Sequence, residues 1–265
     1  MADLCTSTHH NFAEEKGNTM KIFQSCLWQT NSTLIEGREE CFLFDPTYYP
    51  HEVERIKQAL PDKPLNLIYT HADWDHIAGF SEFSFGHTLG HHQVKEQSDQ
   101  LEKAGAFDLE WYVARNKELE FPRIDEEIMG ETTKVVSDET LYFLPIPGHT
   151  SDMMATFFLE RKVVVAGDVL SDLEFPFIFY SSQKYLESLE KMKEKVLEFG
   201  IHTLVPGHGR PVLDSQREIL RRIEDDLDYL HQLKSGNQIA CYRGEPIPAH
   251  LISQHEGNIK FVEME

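Results

Sequence analysis

Residues 69 to 79 read Tyr-Thr-His-Ala-Asp-Trp-Asp-His-Ile-Ala-Gly, which puts His71, Asp73, Asp75 and His76 within six consecutive positions. Carboxylates crowded on one loop repel one another, so this group either shares solvent or shares a positive charge. Three more residues with the same chemistry recur in a similar setting: His149 in "PGHT", Asp168 in "AGDVL" and His208 in "PGHG". Taken singly, a histidine in "PGHT" is more often a hydrogen-bonded turn residue, and "AGD" is commonly a turn or cap. Seven nitrogen and oxygen donors on loops at one edge of a sheet would instead ring a metal cluster.

Those loops need rigid elements behind them. Each follows a short apolar run of strand length: "LNLIY" before His71, "TLYFLPI" before His149, "RKVVVA" before Asp168 and "IHTLV" before His208. Glycine beside three of them permits tight turns and close backbone approach. Upstream, residues 20 to 46 read as a hairpin of two β-rich runs around "EGREE", ending at Asp45-Pro46. Val53, Ile56 and Leu60 fall at helical spacing, with Pro61 and Pro64 as the stop. "FSFGHTLGHHQVKEQ" suits a strand and a helix start, and "FDLEWYVARNKELEF" a helix. Residues 181 to 200 form an amphipathic helix, with Ser181 or Ser182 as its cap and Gly200 at its end. A second helix spans about Asp214 to Leu233, and the remaining tail, with weak periodicity, is open to being a lid or a contact surface.

The 265-residue chain carries 25 basic against 45 acidic residues, a formal charge of -20. That balance repels polyanions, so neither nucleic acid nor an anionic membrane is expected as a partner; a small-molecule substrate is, and an oligomer is left open. Residues 1–19 read as a polar, flexible leader without the apolar core of a signal peptide, and 20–265 as one domain in which 213–265 is a C-terminal helix and tail. The four cysteines are scattered without C-x-x-C spacing, which suits idle thiols in a reducing cytoplasm.

The ordered set "THADWDH", "PGHT", "AGDVL" and "PGHG" resembles the metallo-β-lactamase superfamily, from "FLFDP" to "PGHGRP", or about residues 20 to 212. The resemblance, closest to glyoxalase II-like and lactonase-like hydrolases, implies an α/β fold, a four-layer αββα sandwich. It implies that His71, Asp73 and His149 hold one metal, that Asp75, His76 and His208 hold a second, and that Asp168 bridges them. Alternate residues of an extended loop point the same way, which suits His71, Asp73 and Asp75 facing one pocket. Asp45 resembles the family's aspartate that orients the ligand loop, although a turn aspartate before proline is an equal alternative.

The family commonly reads H-x-H-x-D-H, and this sequence has Asp73 where the middle histidine is expected. A harder, negatively charged ligand shifts preference from zinc toward iron or manganese, so two divalent ions are expected, zinc first, with iron or manganese left open. Within the family an acidic residue here resembles the flavodiiron reductases and a nuclease-like competence domain. The roughly 50 residues after "PGHG" are too few for a flavin domain. The acidic charge argues against a nuclease. The implied activity is hydrolysis of a small ester, thioester, lactone or phosphodiester by a metal-bound hydroxide, with Asp75 and Asp168 as catalytic residues. An iron-dependent oxidoreductase or a phosphodiesterase is the alternative. No G-x-S-x-G elbow supplies a serine nucleophile. His87, His91 and His92 are expected to be structural or solvated. Phe175, Phe177 and Phe179 are read first as a buried strand and second as a cleft lining.

Overall fold

The computed structural model describes residues 9–15, 18–237 and 239–265. A seven-stranded sheet runs in chain order: β1 (His9–Glu15), β2 (Asn18–Gln24), β3 (Asn31–Glu36), β4 (Cys41–Phe44), β5 (Leu65–Ile68), β6 (His87–His91) and β7 (Glu126–Ile128). Four helices intervene: α1 (Pro50–Ala59), α2 (Trp74–Ile77), α3 (Phe80–Phe83) and α4 (Gln100–Trp111). The second sheet has the order β12-β11-β10-β9-β8, built from β8 (Thr132–Val136), β9 (Glu139–Pro145), β10 (Met154–Phe158), β11 (Val163–Gly167) and β12 (Thr203–Pro206). Then α5 (Ser182–Phe199) and α6 (Gln216–Lys234) precede a small hairpin of β13 (Cys241–Tyr242) and β14 (Glu245–Pro246), and α7 (Ile252–Met264) follows.

Side-chain alternation along the strands explains the layering. Phe42 and Phe44 of β4 point between the sheets, against Leu141 and Phe143 of β9 and Val163 and Val165 of β11. Their neighbours Cys41 and Leu43 point the other way, onto Val53 and Ile56 of α1. In the second sheet Leu144, Val164 and Ala166 face outward and meet Leu189, Met192 and Ile223 of α5 and α6. Two sheets that are apolar on both faces must be covered by helices on both outer sides. The result is the expected αββα sandwich.

Local signals held in several places. Ser181 accepts from the Lys184 N–H as the cap of α5, and Gly200 ends that helix in the left-handed conformation. The first β-rich run is two strands, because Ser25 to Thr30 make a hydrogen-bonded turn between β2 and β3. Residues 9–15, within the expected leader, pair antiparallel with β2; residues 1–8, 16 and 17 lie outside the described residues. The helix expected across "FDLEWYVARNKELEF" lies further upstream, and Tyr112 closes α4 in the left-handed region. Residues 172–180 are irregular rather than a strand. Among the described residues Cys41 and Cys241 are free thiols, the first buried and the second exposed. Among the described residues no helix is long and apolar enough to cross a membrane.

Candidate metal centre

Five of the seven predicted residues sit on loops that leave the C-terminal ends of strands, where an α/β sheet exposes its backbone to a ligand, and Asp75 and His76 lie on the short helix α2 that continues the first of these loops. His71, Asp73, Asp75 and His76 follow β5, while His149, Asp168 and His208 follow β9, β11 and β12. His71, Asp73, His149 and Asp168 form one group of potential metal donors, and Asp75, His76 and His208 a second. The donor atoms within each group lie within 4.8 Å of one another. Asp168 lies between the groups: Oδ2 is 3.5 Å from the Nε2 atoms of His71 and His149 and 3.2 Å from Nε2 of His208. Its other oxygen is 3.1 Å from Nε2 of His76.

Two glycines make that approach feasible. Gly167, at φ +63°, leaves no room for a side chain beside Thr70 and Met153. Gly207 passes against Asp168 so closely that a Cβ would collide with its carboxylate. An N–H to carbonyl bond from Gly207 to Gly167 ties the two loops at 2.6 Å.

The surrounding hydrogen bonds set which nitrogen of each histidine is available. The His76 Nδ1 faces Asp45 Oδ2 at 3.0 Å, and His149 Nδ1 faces the Phe177 carbonyl at 2.9 Å. The His208 Nδ1 lies 3.1 Å from the Trp28 carbonyl. These acceptors fix the proton on Nδ1. His71 obeys the same rule by relay: the Thr70 hydroxyl donates to Asp45 at 2.6 Å and is then left to accept from His71 Nδ1 at 3.0 Å. All four rings therefore turn an Nε2 lone pair toward one cavity. The Nε2 atoms of His76 and His208 are only 3.4 Å apart. His71 Nε2 and Asp168 Oδ1 are buried without a hydrogen-bond partner. Converging lone pairs and orphaned donors of this kind fit a pair of cations.

Electrostatics agree. Burial favours neutral rings, yet the Asp168 charge overrides it, pushing His71 up to about 10 and His208 up to about 9. His76 and His149 move upward as well, while Asp168 is held well below the usual carboxylate range by the imidazoles. Asp73 is lowered despite its burial, through hydrogen bonds with His149 and His71. These carboxylates stay ionised and attract positive charge, whether proton or metal.

Asp45 performs the orienting role expected of it, holding Thr70 and His76 together at a backbone φ of +44° that a non-glycine residue rarely adopts. Asp152 was not singled out in the sequence. It is fully buried and accepts from the Ala72 N–H at 2.8 Å, bracing the ligand loop from the other sheet. No spacing signal marks it, because the contact crosses 80 residues. His87 is exposed and faces Asp125 and Glu126, and His91 and His92 pack together outside both donor groups.

The centre opens into a cleft of about 1150 Å³. Trp28, Trp74, Phe177, Phe179 and Tyr180 line it, so the irregular segment after Asp168 contributes both a core residue, Phe175, and three cleft rings. Glu174 also faces the cleft, and burial pushes its carboxyl up to about 7. The expectation of an alternating strand fails because Pro176 and the bond from His149 hold the chain in an irregular path.

Comparison with known proteins bears on this geometry. The family model described as metallo-beta-lactamase superfamily matches residues 27–208. A probable metallo-hydrolase, YqgX of Bacillus subtilis (strain 168), is 25% identical over 184 residues, covering 68% of this chain and 85% of the relative. Among solved structures, the metallo-beta-lactamase family protein TTHA1429 of Thermus thermophilus superposes with a TM-score of 0.62 at 17% identity, covering 84% of this chain and 82% of that one. TTHA1623, in a di-iron-bound form, gives a TM-score of 0.54 at 21% identity over 72% of this chain and 92% of that one. With the ordered ligand loops, the αββα layers and a family match across most of its length, this chain belongs to the metallo-beta-lactamase superfamily and is an enzyme of hydrolase type.

Proposed function

We propose that the protein is a dinuclear metal-dependent hydrolase of a small, uncharged acyl compound: an ester, thioester or lactone. The observation that carries this reading is the convergence of four Nε2 lone pairs and three carboxylates on one cavity. His71, Asp73 and His149 would hold one ion, Asp75, His76 and His208 the other, with Asp168 shared. Bound there, the ions supply a water of lowered pKa and a Lewis-acid contact to the scissile carbonyl. Charge favours a neutral substrate over a phosphodiester. Asp73 adds a negative charge where the family pattern has a neutral imidazole. The rings of Trp28, Trp74 and Phe177 offer an apolar wall to the acyl or leaving group. Glu174 is the group positioned to pass a proton to the leaving atom.

Iron remains a reading for the metal itself, supported by the two-histidine, one-carboxylate first trio and by the di-iron state of TTHA1623. A cytoplasmic location, a small-molecule partner and the single-domain assignment of 20–265 remain proposals.

The deciding experiment is elemental analysis of protein purified without chelator, followed by hydrolysis assays on thioester, lactone, ester and phosphodiester panels. Two transition-metal ions per chain, chelator-sensitive acyl hydrolysis that persists without oxygen, and a loss of at least about 100-fold in Asp168→Ala are expected. Protein without metal, or turnover only with oxygen, would overturn the reading.

A further inference from the structure

A buried polar side chain away from the metal centre, with three hydrogen bonds to other elements, belongs to Asn258, on α7, a helix that lies beyond the family match. Asn258 has no exposed surface. Its Oδ1 accepts from the Ile178 N–H at 3.1 Å, and its Nδ2 donates to the Pro176 carbonyl at 2.7 Å and to the Tyr229 hydroxyl at 3.0 Å. The residue between those two backbone anchors is Phe177, whose carbonyl is the acceptor for His149 Nδ1.

We infer that Asn258 is a positioning residue for the metal centre. It clamps the Pro176–Ile178 backbone so that the Phe177 carbonyl fixes the tautomer and rotation of His149. An Asn is suited to this because one planar group offers an acceptor and two donors, matching one N–H and two oxygen acceptors. Three features reinforce the clamp. Tyr229 also bonds His255 Nδ1 at 2.9 Å and stacks on Phe175, which pins α7 to α6 and to the start of the same segment. Glu265, just past α7, accepts from the Ser182 N–H at 3.0 Å, which holds the far end of the segment where α5 begins. His250, Leu251 and Gln254 then form part of the cleft wall itself. The C-terminal region therefore reaches the centre by two routes, one through Phe177 and one along the cleft.

This inference rests on the metal reading above, and its test separates the two. Asn258→Ala, with Val262→Ala as a control for lost α7 packing, is compared with the parent protein. The partly buried Val262 packs on the core, and its apolar side chain makes none of the clamp's hydrogen bonds. The first readout needs no metal. In chelated protein, the His149 Nδ1 proton should give a slowly exchanging NMR signal in the parent and in Val262→Ala, and exchange broadening should remove it in Asn258→Ala. The second is metal retention against a competing chelator with cobalt as the probe. One of the two ions in Asn258→Ala should be released at about tenfold lower chelator, with a changed visible spectrum. Asn258→Asp keeps the side-chain volume and the acceptor for Ile178 but loses the donor. It carries the same expectation if the alanine variant does not fold. An unaltered His149 signal in Asn258→Ala or Asn258→Asp overturns the inference, as does Val262→Ala losing cobalt to the same degree. If the parent binds no metal, the hydrolase proposal falls, and the NMR comparison still decides whether Asn258 holds His149.

Discussion

Asp73 is the side chain that separates this centre from the common family pattern, and its surroundings show how the change is absorbed. Its carboxylate lies 3.3 Å from His149 Nε2 and 3.6 Å from His71 Nε2, in the place a third ring would take in the first trio. A harder ligand there lowers the discrimination in favour of zinc. Asp73→His is expected to raise the zinc-to-iron ratio of protein grown in medium with both metals, read by elemental analysis. An unchanged ratio would assign metal choice to the second trio instead. Glu174 gives a separate prediction, because it lines the cleft without belonging to either donor group. Glu174→Gln should lower kcat/KM on the best acyl substrate by about 100-fold while leaving both ions bound. Loss of an ion together with the activity would show that Glu174 serves the metals rather than the substrate. The sequence exposed the seven ligand candidates through repeated loop motifs, whereas Glu174, Asp152 and Asn258 carry no such mark. Their roles come from contacts between residues far apart in the chain, and spacing cannot encode those.

Elements were legible where the residues form them locally. Ser181 and Gly200 bound α5 as expected, and the apolar runs before each ligand loop are the strands β5, β9, β11 and β12. Elements that depend on distant partners were not. The segment after Asp168 looks like a strand by alternation, yet His149, Asn258 and Tyr229 hold it irregular, so tertiary contacts outweigh propensity there. The tail has weak periodicity because α7 meets the segment with a few polar residues rather than a broad apolar stripe. The turn from β12 carries its own prediction. Gly207→Ala would force its new methyl into the Asp168 carboxylate, so weakened retention of both metals, and activity lower by at least about tenfold, are expected. Chelator titration of the folded variant checks it, and tight retention of one ion would mean that Asp168 serves one trio only.

At the scale of the whole molecule, the centre makes stability depend on pH and on metal together. Without metal, His71 and His208 have pKa values of about 10 and about 9, above the value of ~6.5 for an unfolded histidine. A raised imidazole pKa contributes stability fully below the unfolded value and loses it as pH rises through the folded value. Chelated protein should therefore melt at a falling Tm between pH 7 and pH 10, while metal-loaded protein, whose rings hold cations instead of protons, should keep its Tm across that range. Parallel curves for the two forms would contradict this account. On the acid side metal affinity should fall, since protons compete for the same Nε2 atoms.

The origin of the ligands has a kinetic consequence. Four of the candidates come from the loop after β5 and the start of α2, beside the seven-stranded sheet, and three come from loops of the five-stranded sheet. Ions held across that boundary, as proposed above, would act as a clasp between the halves of the sandwich, so that the sheets could not part until a ligand was released. The clasp closes only once both halves are in place, which puts its benefit after the folding barrier. Bound metal is then expected to lengthen the lifetime of the native state by slowing unfolding and to leave the rate of folding nearly untouched, which unfolding and refolding kinetics with and without chelator would check.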